Sequence, residues 1–377
     1  MKNPDIETWE KRVYANTFKR LPITLEKGEG PYVWDIQGKK YLDFYAGIGA
    51  TSIGHNHPAI IKTITQQASK LIHTSNWVYT LPQLQLADHL IQISKMQKVF
   101  YTNSGTEAVE AAMKLARTTT NRKNFIAFTG SFHGRTLGAV SLTWTKKYRE
   151  PFEPLIPGCT FIPYGDEEAL KQAVDSQTAA VFIEAIQNES GIIEPPEGFL
   201  KAAREITEDA KTLLIADEVS TGFGRTGNFF AYQHEKIQPD AVIIAKAMGG
   251  GIPIGALLYQ GRDFKPGEHG GTYGGNPLAC AVAQTVLDII QTENLTENST
   301  KMGIKLRKEL NSIGYKTRGR GLLLGIEAPN PEATVRSLID EGVLTIPSDK
   351  VIRALPPLNI KDEHAQEFTA ALRSITK

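Results

Sequence analysis

The sequence has little cysteine, no long hydrophobic run and almost no net charge. Its 377 residues include two cysteines, Cys159 and Cys280, too few for a cysteine metal cluster or a disulfide framework. No apolar run approaches the roughly 18 residues of a membrane span, and the opening MKNPDIETWEKRVY lacks the apolar stretch of a signal peptide. With 42 basic and 41 acidic side chains, the formal charge of +1 does not attract nucleic acid. We expect a soluble cytoplasmic protein that binds neither nucleic acid nor membrane.

Short apolar runs alternate with helical patterns through the middle of the chain. The runs cover residues 99–101, 124–128, 180–183, 212–216, 241–245 and 255–259. Short β-branched strands separated by helices predict an α/β fold with a mostly parallel sheet that is covered on both faces.

The two ends of the chain have a different pattern from the middle. Alternation over residues 30–45, around Gln37 and Gly38, predicts a hairpin. A long helical pattern over 278–312 is followed by strand and helix patterns. We therefore predict a large domain of residues 49–279 and a small α+β domain made of residues 1–48 and 280–377.

A glycine pattern of the dinucleotide-binding type lies at Gly222, Gly224 and Gly227. In that motif the glycines leave a strand directly, and an acidic residue about 20 positions later ends the next strand. Here Asp217 and Glu218 separate the strand from the glycines, and the later acid, Asp240, precedes the next strand. The spacing therefore disfavours a nicotinamide or flavin enzyme, and NAD titration can exclude a nicotinamide-dependent dehydrogenase.

Polar residues follow five of the predicted strands. Because ligands bind at the carboxyl ends of strands in open α/β sheets, these residues predict one site. Ser104, Gly105 and Thr106 open a helix, where free N–H groups can bind a phosphate, although an ordinary helix cap has the same residues.

Three further side chains complete this chemistry. Lys246, flanked by apolar residues, is either a carbonyl-reactive amine or a surface lysine. Asp217 ends a buried strand and needs a partner, which could be a pyridine nitrogen or another cation. Phe132 could stack on a flat ring or belong to the core. Together with the phosphate-binding turn, these residues predict pyridoxal 5′-phosphate.

Several long motifs resemble one enzyme family over nearly the whole chain. They read GEGPYVWDIQGKKYLDFYAGIG, NSGTEAVEAAMKLAR, FHGRTLGAVSLT, IADEVSTGFGRTG, AKAMGGGIPIGA, HGGTYGGNPLA and IRALPPL. The chain resembles class III aminotransferases of pyridoxal-phosphate fold type I. Within the class it is similar to N-acetylornithine aminotransferases and to counterparts that act on a substrate held by an acidic amino-group carrier protein.

The resemblance implies the cofactor contacts. Lys246 is implied to bind the cofactor covalently and to move protons as general acid and base, and Asp217 to pair with the pyridine nitrogen. Phe132 is implied to cover the ring, with Gly105 and Thr106 at the phosphate. The predicted cofactor set also includes Ser104, Val219 and Ser220. Thr272 is implied to contact the phosphate in a neighbouring subunit, and hence a homodimer with shared active sites.

The resemblance also implies how substrates are held. Arg135 and Arg353 are implied to bind carboxylates, because a guanidinium group suits a carboxylate. Glu189 is implied to pair with Arg353 when the substrate presents an amine at its far end. Glutamate and 2-oxoglutarate are the expected amino donor and product.

Three positions depart from the family pattern. Ser220 stands where relatives usually have glutamine, which puts the usual hydrogen bond to the cofactor ring oxygen in doubt. Asn188 lies in a segment that commonly reads Gln-Gly-Glu-Gly-Gly. Gly271 replaces the serine or threonine that contacts the substrate in acetylornithine enzymes.

The sequence thus predicts an ω-transaminase of arginine or lysine biosynthesis. The alternatives are an ornithine or 4-aminobutyrate aminotransferase, a semialdehyde aminomutase, or a catalytically silent homologue that binds the cofactor. A carrier-linked substrate needs a basic rim around the site. The candidates for that rim are Lys19, Arg20, Lys146, Lys147, Arg149, Arg318 and Arg320.

Overall fold

The computed structural model describes residues 5–375, which form three sheets and the helices around them. The strands are β1 Leu25–Glu29, β2 Tyr32–Asp35, β3 Lys40–Asp43, β4 Lys98–Thr102, β5 Asn124–Phe128, β6 Cys159–Ile162, β7 Thr178–Ile183, β8 Leu213–Asp217, β9 Ala241–Ile244, β10 Gly255–Tyr259, β11 Thr317–Arg320, β12 Leu323–Glu327, β13 Val343–Leu344, β14 Ile346–Ser348 and β15 Val351–Ala354. The fold is of the predicted α/β class.

The helices lie between and after these strands. They are α1 Ile6–Val13, α2 Ala46–Gly49, α3 Pro58–Ala68, α4 Leu81–Ser94, α5 Gly105–Thr120, α6 Leu137–Ser141, α7 Lys146–Arg149, α8 Glu167–Ala173, α9 Phe199–Asp209, α10 Pro277–Thr292, α11 Leu295–Ser312, α12 Pro331–Asp340 and α13 Asp362–Ser374. No helix within residues 5–375 is long and apolar enough to cross a membrane.

The large sheet has seven strands in the order β4-β10-β9-β8-β7-β5-β6. Only β10 runs antiparallel to its neighbours β4 and β9, and the other pairings are parallel. The six predicted apolar runs all become strands of this sheet, whose inner strands β7 and β9 are buried throughout. The seventh strand, β6, was not predicted.

Two four-stranded sheets complete the fold. The predicted hairpin is formed by β2 and β3, whose turn contains Gly38 with a φ of 84°. Strand β13 pairs parallel with β3, so the N-terminal hairpin joins a strand from the last part of the chain. Strands β11, β12, β15 and β14 form the other sheet. The domain division at residue 279/280 stays a prediction, and α10 spans it.

The single long helix expected over 278–312 is wrong. The structure has two helices, α10 and α11, separated at Glu293 and Asn294, and Asn294 has a left-handed φ of 52°. Helix α10 has buried residues along its whole length and packs against α3 and α4, whereas α11 packs against α13. The break lets the two helices pack on different parts of the molecule.

Candidate active site

A cavity of about 450 Å³ lies at the carboxyl ends of the large sheet. Most of the predicted site residues line it together, as the strand-end argument requires. They are Ser104, Gly105, Thr106, Phe132, Arg135, Asp217, Val219, Ser220 and Lys246. Glu189, Arg353, Gly271 and Thr272 are not among its lining residues.

The N-terminus of α5 forms one wall of this cavity. Ser104 caps the helix, since its hydroxyl accepts a hydrogen bond from the Glu107 N–H at 3.4 Å. A Cβ atom at position 105 would lie 2.8 Å from Val219, so only glycine lets the backbone lie this close. The first N–H groups of a helix have no partner within it, and the helix dipole favours an anion there.

Asp217 lies at the end of β8 and pairs with a histidine that the sequence reasoning missed. His133 Nδ1 lies 2.7 Å from Asp217 Oδ2, and both side chains are buried. The other carboxylate oxygen accepts a hydrogen bond from the Val219 N–H at 3.1 Å. Burial opposes the charged imidazole, but the hydrogen bond and charge of Asp217 outweigh it and raise the pKa of His133. A carboxylate accepts up to about four hydrogen bonds, so Asp217 can take a further donor.

Two buried glutamates lie close to Asp217. Burial raises the pKa of Glu184 and of Glu218 to about 7, and the charge of Asp217 adds to the effect. Glu184 accepts a hydrogen bond from the Phe132 N–H at 2.9 Å, which ties the loop carrying Phe132 to the end of β7. Glu218 accepts one from the Tyr232 N–H at 2.9 Å.

Lys246 begins a short 3₁₀ turn, Lys246–Gly249, immediately after β9. Its φ of 43° is left-handed, which costs about 1 kcal/mol or more for a residue with a side chain and is typical of functional positions. The ammonium nitrogen donates a hydrogen bond to the Ser220 hydroxyl at 2.6 Å. Burial, reinforced by the charge of Arg353, lowers the pKa of Lys246, which favours the reactive neutral amine.

The two predicted carboxylate-binding arginines have different surroundings. Arg353, on β15, is 3% exposed and its Nη1 lies 2.8 Å from a carboxylate oxygen of Glu189. Arg135 is exposed, and its guanidinium lies 3.5 Å from the centre of the Tyr148 ring. Within residues 5–375, no carboxylate lies within ion-pair distance of Arg135.

Gly271 and Thr272 lie in a separate cleft. That cleft is also lined by Trp77 and Gln83, and its volume is about 980 Å³. The carbonyl oxygen of Gly271 accepts a hydrogen bond from Asn76 at 3.2 Å. Within one chain, therefore, these two predicted residues are not brought to the Lys246 cavity.

The cavity residues fit pyridoxal phosphate in size and chemistry. The open N-terminus of α5 suits the phosphate, Asp217 has acceptor capacity left, and Lys246 supplies a buried amine. Among residues 5–375 there is no group of three His, Cys, Asp or Glu side chains that could hold a metal ion.

Comparison with known proteins agrees with this geometry. The family model described as aminotransferase class-III matches residues 13–376. The chain belongs to the class III aminotransferases. It is therefore an aminotransferase of fold type I, and the cofactor of this family is pyridoxal phosphate.

Individual relatives are similar over almost their whole length. The acetylornithine aminotransferase of Methanopyrus kandleri is 44% identical over 96% of both chains. A putative LysW-aminoadipate semialdehyde/glutamate semialdehyde transaminase of Pyrococcus abyssi is 45% identical over 95% of this chain and 97% of that protein. The ornithine aminotransferase structure from Toxoplasma gondii, with PLP partially occupying its active site, has a TM-score of 0.95. It is 33% identical and covers 98% of this chain and 93% of its own.

Proposed function

We propose that this aminotransferase exchanges the terminal amino group of N-acetylornithine with glutamate and 2-oxoglutarate in amino-acid biosynthesis. The observation that carries the proposal is the pairing of buried Arg353 with partly exposed Glu189, which Asn188 links to Ser220 in the Lys246 cavity. A site that must accept both a dicarboxylate and a substrate with a terminal amine needs an arginine that can be uncovered or masked. The acetylornithine aminotransferases at 44% identity support the same substrate.

When bound, pyridoxal phosphate takes up and releases the amino group and stabilises negative charge at the carbon that loses its proton. Lys246 would hold the cofactor through Nζ and, once released, would move a proton at that atom, for which its lowered pKa is suited. Asp217, itself held by His133, would pair with the ring nitrogen and favour its protonated form. Phe132 would cover the ring and the N-terminus of α5 at Ser104–Thr106 would bind the phosphate, and Val219 and Ser220 also line the cavity.

The two arginines divide the work of substrate binding. Arg135 binds the carboxylate at the far end of either substrate. Arg353 binds the second carboxylate of glutamate after Glu189 has moved away. With N-acetylornithine, Glu189 stays paired and neutralises the buried guanidinium group.

A carrier-linked substrate is the second candidate, because the Pyrococcus abyssi relative has that printed name. An acidic carrier requires unpaired basic groups around the site. Five of the rim candidates already pair with carboxylates of this chain: Lys19 with Glu332, Arg20 with Glu10, Lys146 with Glu150, Arg318 with Glu327 and Arg320 with Glu194. This pairing favours the free acetylated substrate.

We further propose a homodimer in which Thr272 completes the partner's phosphate site. Trp77 and Tyr79 are 95% and 94% exposed, next to the cleft that contains Gly271 and Thr272. With the exposed Val78, Leu81 and Leu84 they make a run of exposed apolar side chains, and contiguous apolar patches mark interaction surfaces. Light scattering should give twice the chain mass of 41.5 kDa, and a fully active monomer would refute the shared site.

Steady-state transamination with 2-oxoglutarate tests the substrate. N-acetylornithine, ornithine, 4-aminobutyrate and a carrier-linked amine are compared as amino donors at equal concentration. We expect kcat/KM for N-acetylornithine to exceed that for ornithine by about tenfold or more, because the unprotected amine adds a charge that the site must desolvate. Failure of both the acetylated and the carrier-linked donor would overturn the biosynthetic assignment.

A further inference from the structure

Asn188 is a buried side chain that connects Lys246 with Arg353. It is 4% exposed, and its Nδ2 donates a hydrogen bond to the Ser220 hydroxyl at 3.2 Å. Lys246 donates to the same hydroxyl oxygen at 2.6 Å. The backbone carbonyl of Asn188 accepts from Arg353 Nη1 at 3.4 Å.

The geometry determines what the Ser220 hydroxyl can still do. A serine hydroxyl has two acceptor positions and one proton to donate. Asn188 donates to it and occupies one acceptor position, while the second, occupied here by Lys246, would be released once that amine holds the cofactor. Because Ser220 lines the cavity, its proton remains available to an acceptor there.

Both residues stand where the sequence departs from its family. Ser220 replaces a longer glutamine, and Asn188 lies in a segment that commonly has glycine. Asn188 and Ser220 contact each other in the structure. The short side chain of Ser220 on one loop is therefore accompanied by the longer side chain of Asn188 on a neighbouring loop. The side-chain oxygen of Asn188 is buried without a hydrogen-bond partner among the described residues, so this side chain is held through its Nδ2 contact with Ser220.

We propose that Asn188 is a positioning residue that holds the Ser220 hydroxyl so that it donates its proton to an oxygen of the bound cofactor. This inference rests on the proposed cofactor site. Asn188 and Ser220 would thus together provide the hydrogen bond to the cofactor that the glutamine usual at position 220 is implied to make in relatives.

Titration of apoprotein with pyridoxal phosphate tests the proposal through a double-mutant cycle. Asn188→Ala and Ser220→Ala should each weaken cofactor binding about three- to tenfold, as expected for one lost hydrogen bond. The double variant should bind no more weakly than Ser220→Ala alone, because Asn188 acts through Ser220. Effects that multiply in the double variant would overturn the proposal.

Matched variants separate positioning from packing. Asn188→Leu fills a similar volume without the amide, so it should bind as weakly as Asn188→Ala. Ser220→Thr keeps the hydroxyl and should bind the cofactor more tightly than Ser220→Ala, close to wild type. Ser190 lies on the same loop as Asn188, and its hydroxyl donates a hydrogen bond to the Gly130 carbonyl. Ser190→Ala removes that bond and should bind the cofactor like wild type. Wild-type affinity in Asn188→Leu would show that Asn188 only fills space and would overturn the proposal.

The cycle also distinguishes this inference from the proposed function. Thermal unfolding of each apoprotein confirms that the compared variants are folded. If wild type binds the cofactor and transaminates while the cycle is additive, only the role of Asn188 fails. If wild type neither binds the cofactor nor transaminates, the proposed function fails, and the role of Asn188 with it.

Discussion

Arg353 and Arg135 are both predicted to bind carboxylates, yet the structure surrounds them in opposite ways. Arg353 is buried and paired with Glu189, whereas Arg135 is exposed and lies over the Tyr148 ring. A buried guanidinium group needs a compensating charge, while an exposed one is stabilised by water. The comparison indicates that a carboxylate would have to displace Glu189 to reach Arg353, whereas the structure leaves Arg135 open to solvent.

The largest expected effect comes from Lys246, because the substrates bound by either arginine are proposed to react there. Lys246→Ala should lower turnover with either substrate by roughly 10²–10⁴-fold, from the loss of general acid–base catalysis alone. Absorbance-monitored half-reactions measure this loss, with thermal unfolding as the control for folding. If either substrate still turns over at the wild-type rate, the two arginines do not serve one reaction centre.

The buried side of the site also predicts a pH dependence of stability. Burial raises the pKa of Glu218 from 4.5 to about 7. The folded protein therefore keeps a proton that the unfolded chain releases, and this stabilisation is present below pH 4.5 and lost as pH rises through 7. The shift corresponds to about 3 kcal/mol.

Glu218→Gln should remove this dependence, because the amide does not ionise. Denaturant unfolding between pH 5 and pH 8 compares the variant with wild type and with the exposed control Glu341→Gln. The loss of stability with rising pH should be smaller in Glu218→Gln and unchanged in the control. Equal slopes in all three proteins would show that Glu218 is not the titrating group.

A smaller effect is expected when Glu189, the carboxylate that pairs with Arg353, loses its charge. In Glu189→Gln the amide oxygen can still accept a hydrogen bond, so only the charge is removed. We expect kcat/KM for N-acetylornithine to fall roughly fivefold, which corresponds to the loss of about 1 kcal/mol of interaction energy. Glutamate should react at least as well as before. Steady-state kinetics with each donor measure both values. A loss with glutamate alone would reverse the assigned roles.

The apolar runs in the sequence predicted six of the seven strands of the large sheet. The six apolar runs became strands because a buried parallel strand needs a continuous apolar segment. Strand β6, Cys159–Ile162, was missed because it is short, lies at the sheet edge and is only partly buried. The break at Asn294 depends on what α10 and α11 pack against, which periodicity alone does not show.

The candidate site was predictable where strand ends carry the chemistry, as for Lys246 and Asp217. His133 was missed because its pairing with Asp217 spans 84 positions in the sequence. Its signal was the position directly after Phe132, at another strand end of the same sheet. Within residues 5–375, Thr272 lines a cleft separate from the cavity, so its assigned role depends on a second subunit.

The ratio of the two half-reaction rates in the arginine variants tests the central claim most directly. Arg353→Ala should slow the glutamate half-reaction by about 2 kcal/mol or more, roughly 30-fold, and leave the N-acetylornithine half-reaction within about threefold of wild type. Arg135→Ala should slow both half-reactions together. Equal slowing of both half-reactions by Arg353→Ala would contradict the account.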